Sequence, residues 1–161
     1  ENQITGDSIH LLFNIDNDQL DSLLVFNNAF IINKDSLGTG FNQISGQKLY
    51  GNFINNELKK IDIIKNAESI YYLRNSENEL VGIDRSKSGK IKILLDNNSI
   101  KKFKKINQID GNTYPEEDFL EELKFLKGFY FREEEKPNSI KDLFKDDPKL
   151  ILTKIKSLQI N

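Results

Sequence analysis

The chain of 161 residues has no cysteine, no methionine, no tryptophan and a single histidine, His10. Without cysteine there is no disulfide scaffold, no thiolate nucleophile and no Cys-based zinc site. One histidine excludes a multi-His metal centre. Asp7 and Ser8 supply the other residue types of a triad, but near neighbours on one strand cannot form its relay. No apolar run approaches the ~20 residues that span a bilayer as a helix. The net charge of −2 gives no global attraction for nucleic acid. Alanine and valine are scarce too, two of each against 21 Ile, 19 Leu and 11 Phe. Large side chains therefore build the core, and the near absence of Ala argues against a helical bundle. The missing initiator Met leads us to expect a processed piece of a longer protein, its signal peptide removed or outside this chain. Lack of cysteine fits export.

What is present reads as β for the first two thirds. Ile9, Leu11 and Phe13 recur with period two, as do Ile61 and Ile63, and Ile91, Ile93 and Leu95. Asn/Asp clusters at Asp16-Asn17-Asp18, Asn55-Asn56 and Asp96-Asn97-Asn98 tolerate positive φ and mark hairpin tips. Asp16, Asp18 and Asp21 lack the glycine and terminal glutamate of a calcium loop and read as a plain acidic turn. An internal repeat emerges. Ile4-Thr5-Gly6 opens a segment that closes on Asn28-Ala29, and Ile44-Ser45-Gly46 opens one that closes on Asn66-Ala67. A degenerate third copy runs from Ser88 to Phe103. Hairpins that cannot each bury a face alone must stack. A three-residue loop, Asn55-Asn56-Glu57, brings Leu49 and Phe53 onto the face of Ile61 and Ile63. That choice gathers Ile9, Leu11, Phe13, Leu23, Val25, Leu49, Phe53, Ile61, Ile63, Ile91, Ile93, Leu95 and Phe103 on one apolar face.

After Gly111 the character changes. Pro115 and the following carboxylates suit a helix start, and Phe119, Leu120, Leu123 and Leu126 have helical spacing up to Gly128. Phe129-Tyr130-Phe131 reads as a short aromatic strand, and Ile140, Leu143 and Phe144 as an amphipathic turn. The boundaries expected are 1–112 for the β-repeat domain, 113–145 for a helix and aromatic segment packing on or capping the sheet, and 146–161 for a tail. Charge is segregated. Residues 86–109 hold seven lysines and one acid, and Lys101, Lys102, Lys104 and Lys105 crowd together as candidate contacts for lipid headgroup phosphates or an acidic partner.

The stretch from Ile44 to Tyr72, with its Gly-led strand, polar turn, second strand and Asn66-Ala67 step, resembles the repeat of the OstA-like/LptA-like periplasmic lipopolysaccharide-transport family. The block from Gly111 to Phe144 resembles the C-terminal part of its longer members. Lys65 stands where glycine is common, and Lys136 where arginine is. The resemblance covers residues 4–145. It implies a mainly β fold, an open antiparallel β-taco or jelly-roll of stacked hairpin repeats with a short C-terminal α-helical segment. It also implies a non-catalytic, periplasmic module with no cofactor and no metal, serving outer-membrane biogenesis. Such a module shields lipid A acyl chains in its groove and joins other modules by edge-strand pairing. Burial worth ~0.8 kcal/mol per CH₂ explains why an acyl lipid needs a trough to leave a membrane. The expected partners are lipopolysaccharide or a related lipid and sister modules. Nucleic acid is not expected, nor is a membrane-spanning role. Two other classes remain: an adaptor that docks outer-membrane partners without lipid, and an enzyme on the same scaffold, which would need an acid-lined cleft.

Overall fold

The computed structural model describes residues 2–97, 99–139 and 142. The chain divides into two units, Glu1–Phe131 and Arg132–Asn161. Residues 113–131 fall in the first unit together with the β-repeats. Ile140, Leu143, Phe144 and the tail 146–161 lie outside the described residues. Within the second unit, Glu133–Glu135 form a 3-10 turn, with Arg132 paired to Glu135 at 3.3 Å.

The first unit is one open antiparallel sheet, not a closed barrel. Its strands are β1 (Asn2–Thr5), β2 (Ser8–Asn14), β3 (Gln19–Lys34), β4 (Phe41–Ile54), β5 (Glu57–Arg74), β6 (Leu80–Asp96), β7 (Ser99–Ile106) and β8 (Asp110–Tyr114). The order is β1-β3-β4-β5-β6-β7, with β2 continuing β1 along β3 and β8 continuing β7 along β6. Among the described residues, edges β1/β2 and β7/β8 do not pair with each other.

The repeat is a repeated corner. Asn27-Asn28, Lys65-Asn66 and Asn107-Gln108 each place two successive residues at positive φ. Asn tolerates this region better than most residues. Ladder register shifts at the first two corners, so each long strand bends there. A glycine faces every corner. A Cβ on Gly6 would lie 2.2 Å from Val25 Cγ1, and one on Gly46 would lie 2.4 Å from Ile63 Cγ2. Gly89 donates its N–H to the Asn107 carbonyl at 2.8 Å. The alanines after the first two corners, Ala29 and Ala67, are buried at the fold line in one cluster with Val25, Leu49 and Ile63.

The corners divide the sheet into a front half and a back half folded toward each other. Val25, Leu49, Ile63 and Ile91 are neighbours across four strands of the front half, each at most 1% exposed. Full burial of each is worth ~1.5–3 kcal/mol. Ile4, Ile31 and Ile44 of the back half pack into the same cluster. Tyr71 of the back half meets the Phe103 ring of the front half, centroids 5.3 Å apart.

Register confirms the face and corrects the turn. Leu49 pairs with Ile63 and Phe53 with Leu58, but the Asn55-Asn56 loop has two residues, both at positive φ. The third residue sits as a bulge at Lys59, between the Asn52–Lys60 and Phe53–Leu58 pairs. Equivalent shifts leave Asp21 and Lys101 unpaired in the other hairpins. A two-residue turn of this hand matches the strand twist, and the bulge restores the alternation.

The helix expected after Pro115 is present only as two 3-10 turns, Glu116–Asp118 and Glu121–Leu123. The segment is a strap across the outer face of the back half. Gln43 donates to the Lys124 carbonyl at 2.7 Å and accepts from the Leu126 N–H at 2.9 Å, and Arg85 donates to the Leu123 carbonyl. Gln3 donates to the Tyr130 carbonyl at 2.7 Å. Sheet side chains thus take backbone groups that an α-helix would satisfy internally. Beneath the strap Phe119 and Leu126 cluster with Phe30, Ile32, Ile70 and Ile83.

Candidate functional site

The thirteen apolar residues expected on one face do share the face that the two halves enclose, but their burial differs. Leu23, Val25, Leu49, Ile61, Ile63, Ile91 and Ile93 are core, and Phe53, Leu95 and Phe103 are partly buried. Ile9, Leu11 and Phe13 are about half exposed. They lie on edge strand β2, opposite Val25, Leu23 and Leu20.

Away from the fold line the interior opens into a cavity of about 340 Å³. Its front wall is Leu58, Ile61, Ile93, Leu95 and Ile100; its back wall is Ile4, Ile31 and Ile44. The rim on the back half is polar. Asn33 donates to Asn2 at 2.6 Å, and Asn42 donates to Asn33 at 3.0 Å. Asn42 in turn accepts the Tyr72 N–H at 2.8 Å. Tyr71 completes the rim, its phenol pushed above the ordinary 10.0 by burial. The mouth therefore has one greasy lip and one amide lip. An amphipathic ligand fits such a boundary: a chain against the front wall, polar atoms along the amides. No family model, curated protein or solved structure matches this chain.

The asparagine rim escaped the sequence reading, although its signal was there. Asn2-Gln3-Ile4-Thr5-Gly6 and Asn42-Gln43-Ile44-Ser45-Gly46 extend the repeat by two residues. Alternation places Asn on the face of Ile4 and Ile44, and Gln on the strap side.

The lysine run is not one patch. Lys101 occupies the bulge beside Asp96, at 3.8 Å. Lys102 and Lys104 oppose Leu94 and Lys92 on the outer face. Lys105 alone points inward, paired with Asp84 of the back half at 2.5 Å. Alternation splits consecutive strand residues between two faces, so the four lysines do not present a single shared patch. Ser8 Oγ lies 2.8 Å from His10 Nε2, but the Asp7 carboxylate accepts from Asn28 instead.

On the outer face of the front half Asp62 sits between Lys60 at 2.9 Å and Lys90 at 3.1 Å. Burial raises its pKa, and the two ammonium groups more than reverse this, so the carboxyl titrates below its ordinary 3.8. A depressed folded-state value means stability present above 3.8 and lost as pH falls through the folded-state pKa. Urea midpoints should therefore separate native protein from Asp62→Asn at neutral pH and converge in acid. A constant gap would show that the carboxylate charge contributes nothing.

Proposed function

We propose that this chain is a non-catalytic module that carries or bridges a multi-acyl lipid of the lipopolysaccharide class in the periplasm. The half-polar mouth of the folded sheet is the observation that carries this reading. Acyl carbons enter between the Leu58–Ile61 and Ile31–Ile44 walls, and headgroup oxygens reach the Asn2, Asn33 and Asn42 amides. At about 340 Å³ the closed part of the cavity is at the small end of ligand sites, which run to about 1,000 Å³. A longer chain then continues along the half-exposed Ile9, Leu11 and Phe13. The openness of the sheet supports this, since a headgroup cannot thread through a sealed barrel. The resemblance to the OstA-like repeat points the same way.

The unpaired strands at both edges suit addition of a strand from a sister module. If the chain were only an adaptor, these edges would serve it and the cavity would stay empty. A photo-reactive side chain at Leu95 and another at Lys104 separate the two readings. With lipopolysaccharide added, Leu95 should cross-link to acyl chains and Lys104 much less. Equal labelling at both, or none, rejects acyl carriage. Solvent extraction and mass spectrometry of the purified chain identify the lipid class.

A further inference from the structure

The outer face of the front half carries a charge pattern that lipid carriage does not use. Alternation places Lys48, Lys60, Lys90, Lys92, Lys102 and Lys104 there, around the carboxylate of Asp62; toward the hairpin tips the same face carries Glu57 and Asp96, which pair with Lys59 and Lys101. Asp62 engages Lys60 and Lys90. Among the described residues Lys48, Lys92, Lys102 and Lys104 form no ion pair; Lys48 lies over the Phe26 ring at 5.6 Å. Lys92 and Lys104 are direct cross-strand neighbours, an arrangement that like charges oppose. Apolar side chains are interleaved with them: Leu12, Leu24, Phe26, Tyr50, Ile64 and Leu94. Leu12 is 44% exposed and Leu94 36%. The strap covers the outer face of the back half; among the described residues of the first unit no segment packs across this one.

We propose that this face docks on an anionic phospholipid bilayer. Three features select that occupant. The lysines are spread over strands β4 to β7 rather than gathered round one point, a distribution that suits a surface of many charges rather than one bound ion. They are lysines without arginine, compact point charges suited to mobile phosphates rather than to planar, bidentate recognition of a fixed partner. The interleaved leucines and aromatics add what a purely electrostatic surface lacks, apolar and amphipathic groups that settle at the headgroup–acyl boundary while lysine ammoniums stay in water. Docking here leaves the inner groove free, so it does not depend on lipid carriage.

The test is flotation of the full chain with vesicles. Vesicles of equal parts phosphatidylcholine and phosphatidylglycerol should bind it at low salt, release it as salt rises, and outcompete vesicles of phosphatidylcholine alone. Each lysine near an anionic surface is worth about five-fold in partitioning, so K92Q/K104Q should bind about 25-fold more weakly. The same variant removes a like-charge pair, so its melting temperature should not fall. Fallen binding with unchanged stability is the signature of docking. Leu95→Asn, at the groove mouth, should leave flotation unchanged even if it abolishes acyl cross-linking. Equal binding to neutral vesicles, no loss in K92Q/K104Q, or displacement from vesicles by stoichiometric duplex DNA would overturn the proposal. So would self-association that K92Q/K104Q abolishes while flotation persists.

Discussion

Gln43→Leu should release the strap and cost ~2–6 kcal/mol of stability. Gln43 is fully buried, donates to the Lys124 carbonyl and accepts from the Leu126 N–H. Leucine keeps the volume and offers no polar atom. Both backbone groups are then orphaned beneath the strap, at ~1–3 kcal/mol each. The damage should be local before it is global, because the Gln43 side chain bonds the strap on the outer face while the Leu49 cluster lies on the inner one. Limited trypsin digestion reads this directly: cleavage after Lys124 and Lys127 should accelerate well before the sheet is cut. Gln3→Ala removes the exposed bond to Tyr130 and should do far less. If Gln43→Leu leaves both urea midpoint and cleavage rate unchanged, the strap is held by its aromatic contacts and not by Gln43.

Leu49→Ala is expected to cost about the same, ~2–5 kcal/mol, through a cavity at the fold line. Leu49 is fully buried, flanked across strands by Val25 and Ile63, with the corner glycines close by. The corners fix how closely the halves approach, so little collapse can refill the space. Phe13→Ala, on the same face, should change stability by no more than about 0.5 kcal/mol, because Phe13 is 58% exposed on an edge strand. Chemical denaturation of the two variants side by side checks this. Equal costs would mean that the interior closes over β2 in solution.

The contrast between Leu49 and Phe13 marks how far a linear reading goes. Period-two alternation put both on one face, and the ladder agrees, because strand geometry allows a side chain only two directions. The repeat was legible too, in the Asn28-Ala29 and Asn66-Ala67 steps, but that these steps are corners was not, because Lys65 and Gln108 share the positive φ with asparagine. Even the incorrect loop at Asn55 led to the correct face, because turn and bulge together supply the odd residue that the hydrophobic pattern demands.

The 115–127 segment was misread for a reason of the same kind. Phe119, Leu120, Leu123 and Leu126 fit a helix, but helical spacing states only that burial is periodic along an isolated rod. The partner for this segment is the outer row of the sheet, with Gln43 and Arg85 bonding its backbone, and that row is assembled from strands tens of residues away.

By itself, then, the order of residues determined the β character of the first two thirds, the repeat, the hairpin tips and the apolar face. Each depends on backbone preferences and alternation, which act over a few residues. Only the tertiary structure decided which residues of that face are core and which line a mouth, which amides form its rim, and where each lysine points. Those depend on two halves of a sheet meeting through space. Exposure is a property of what lies opposite, and no local pattern encodes it.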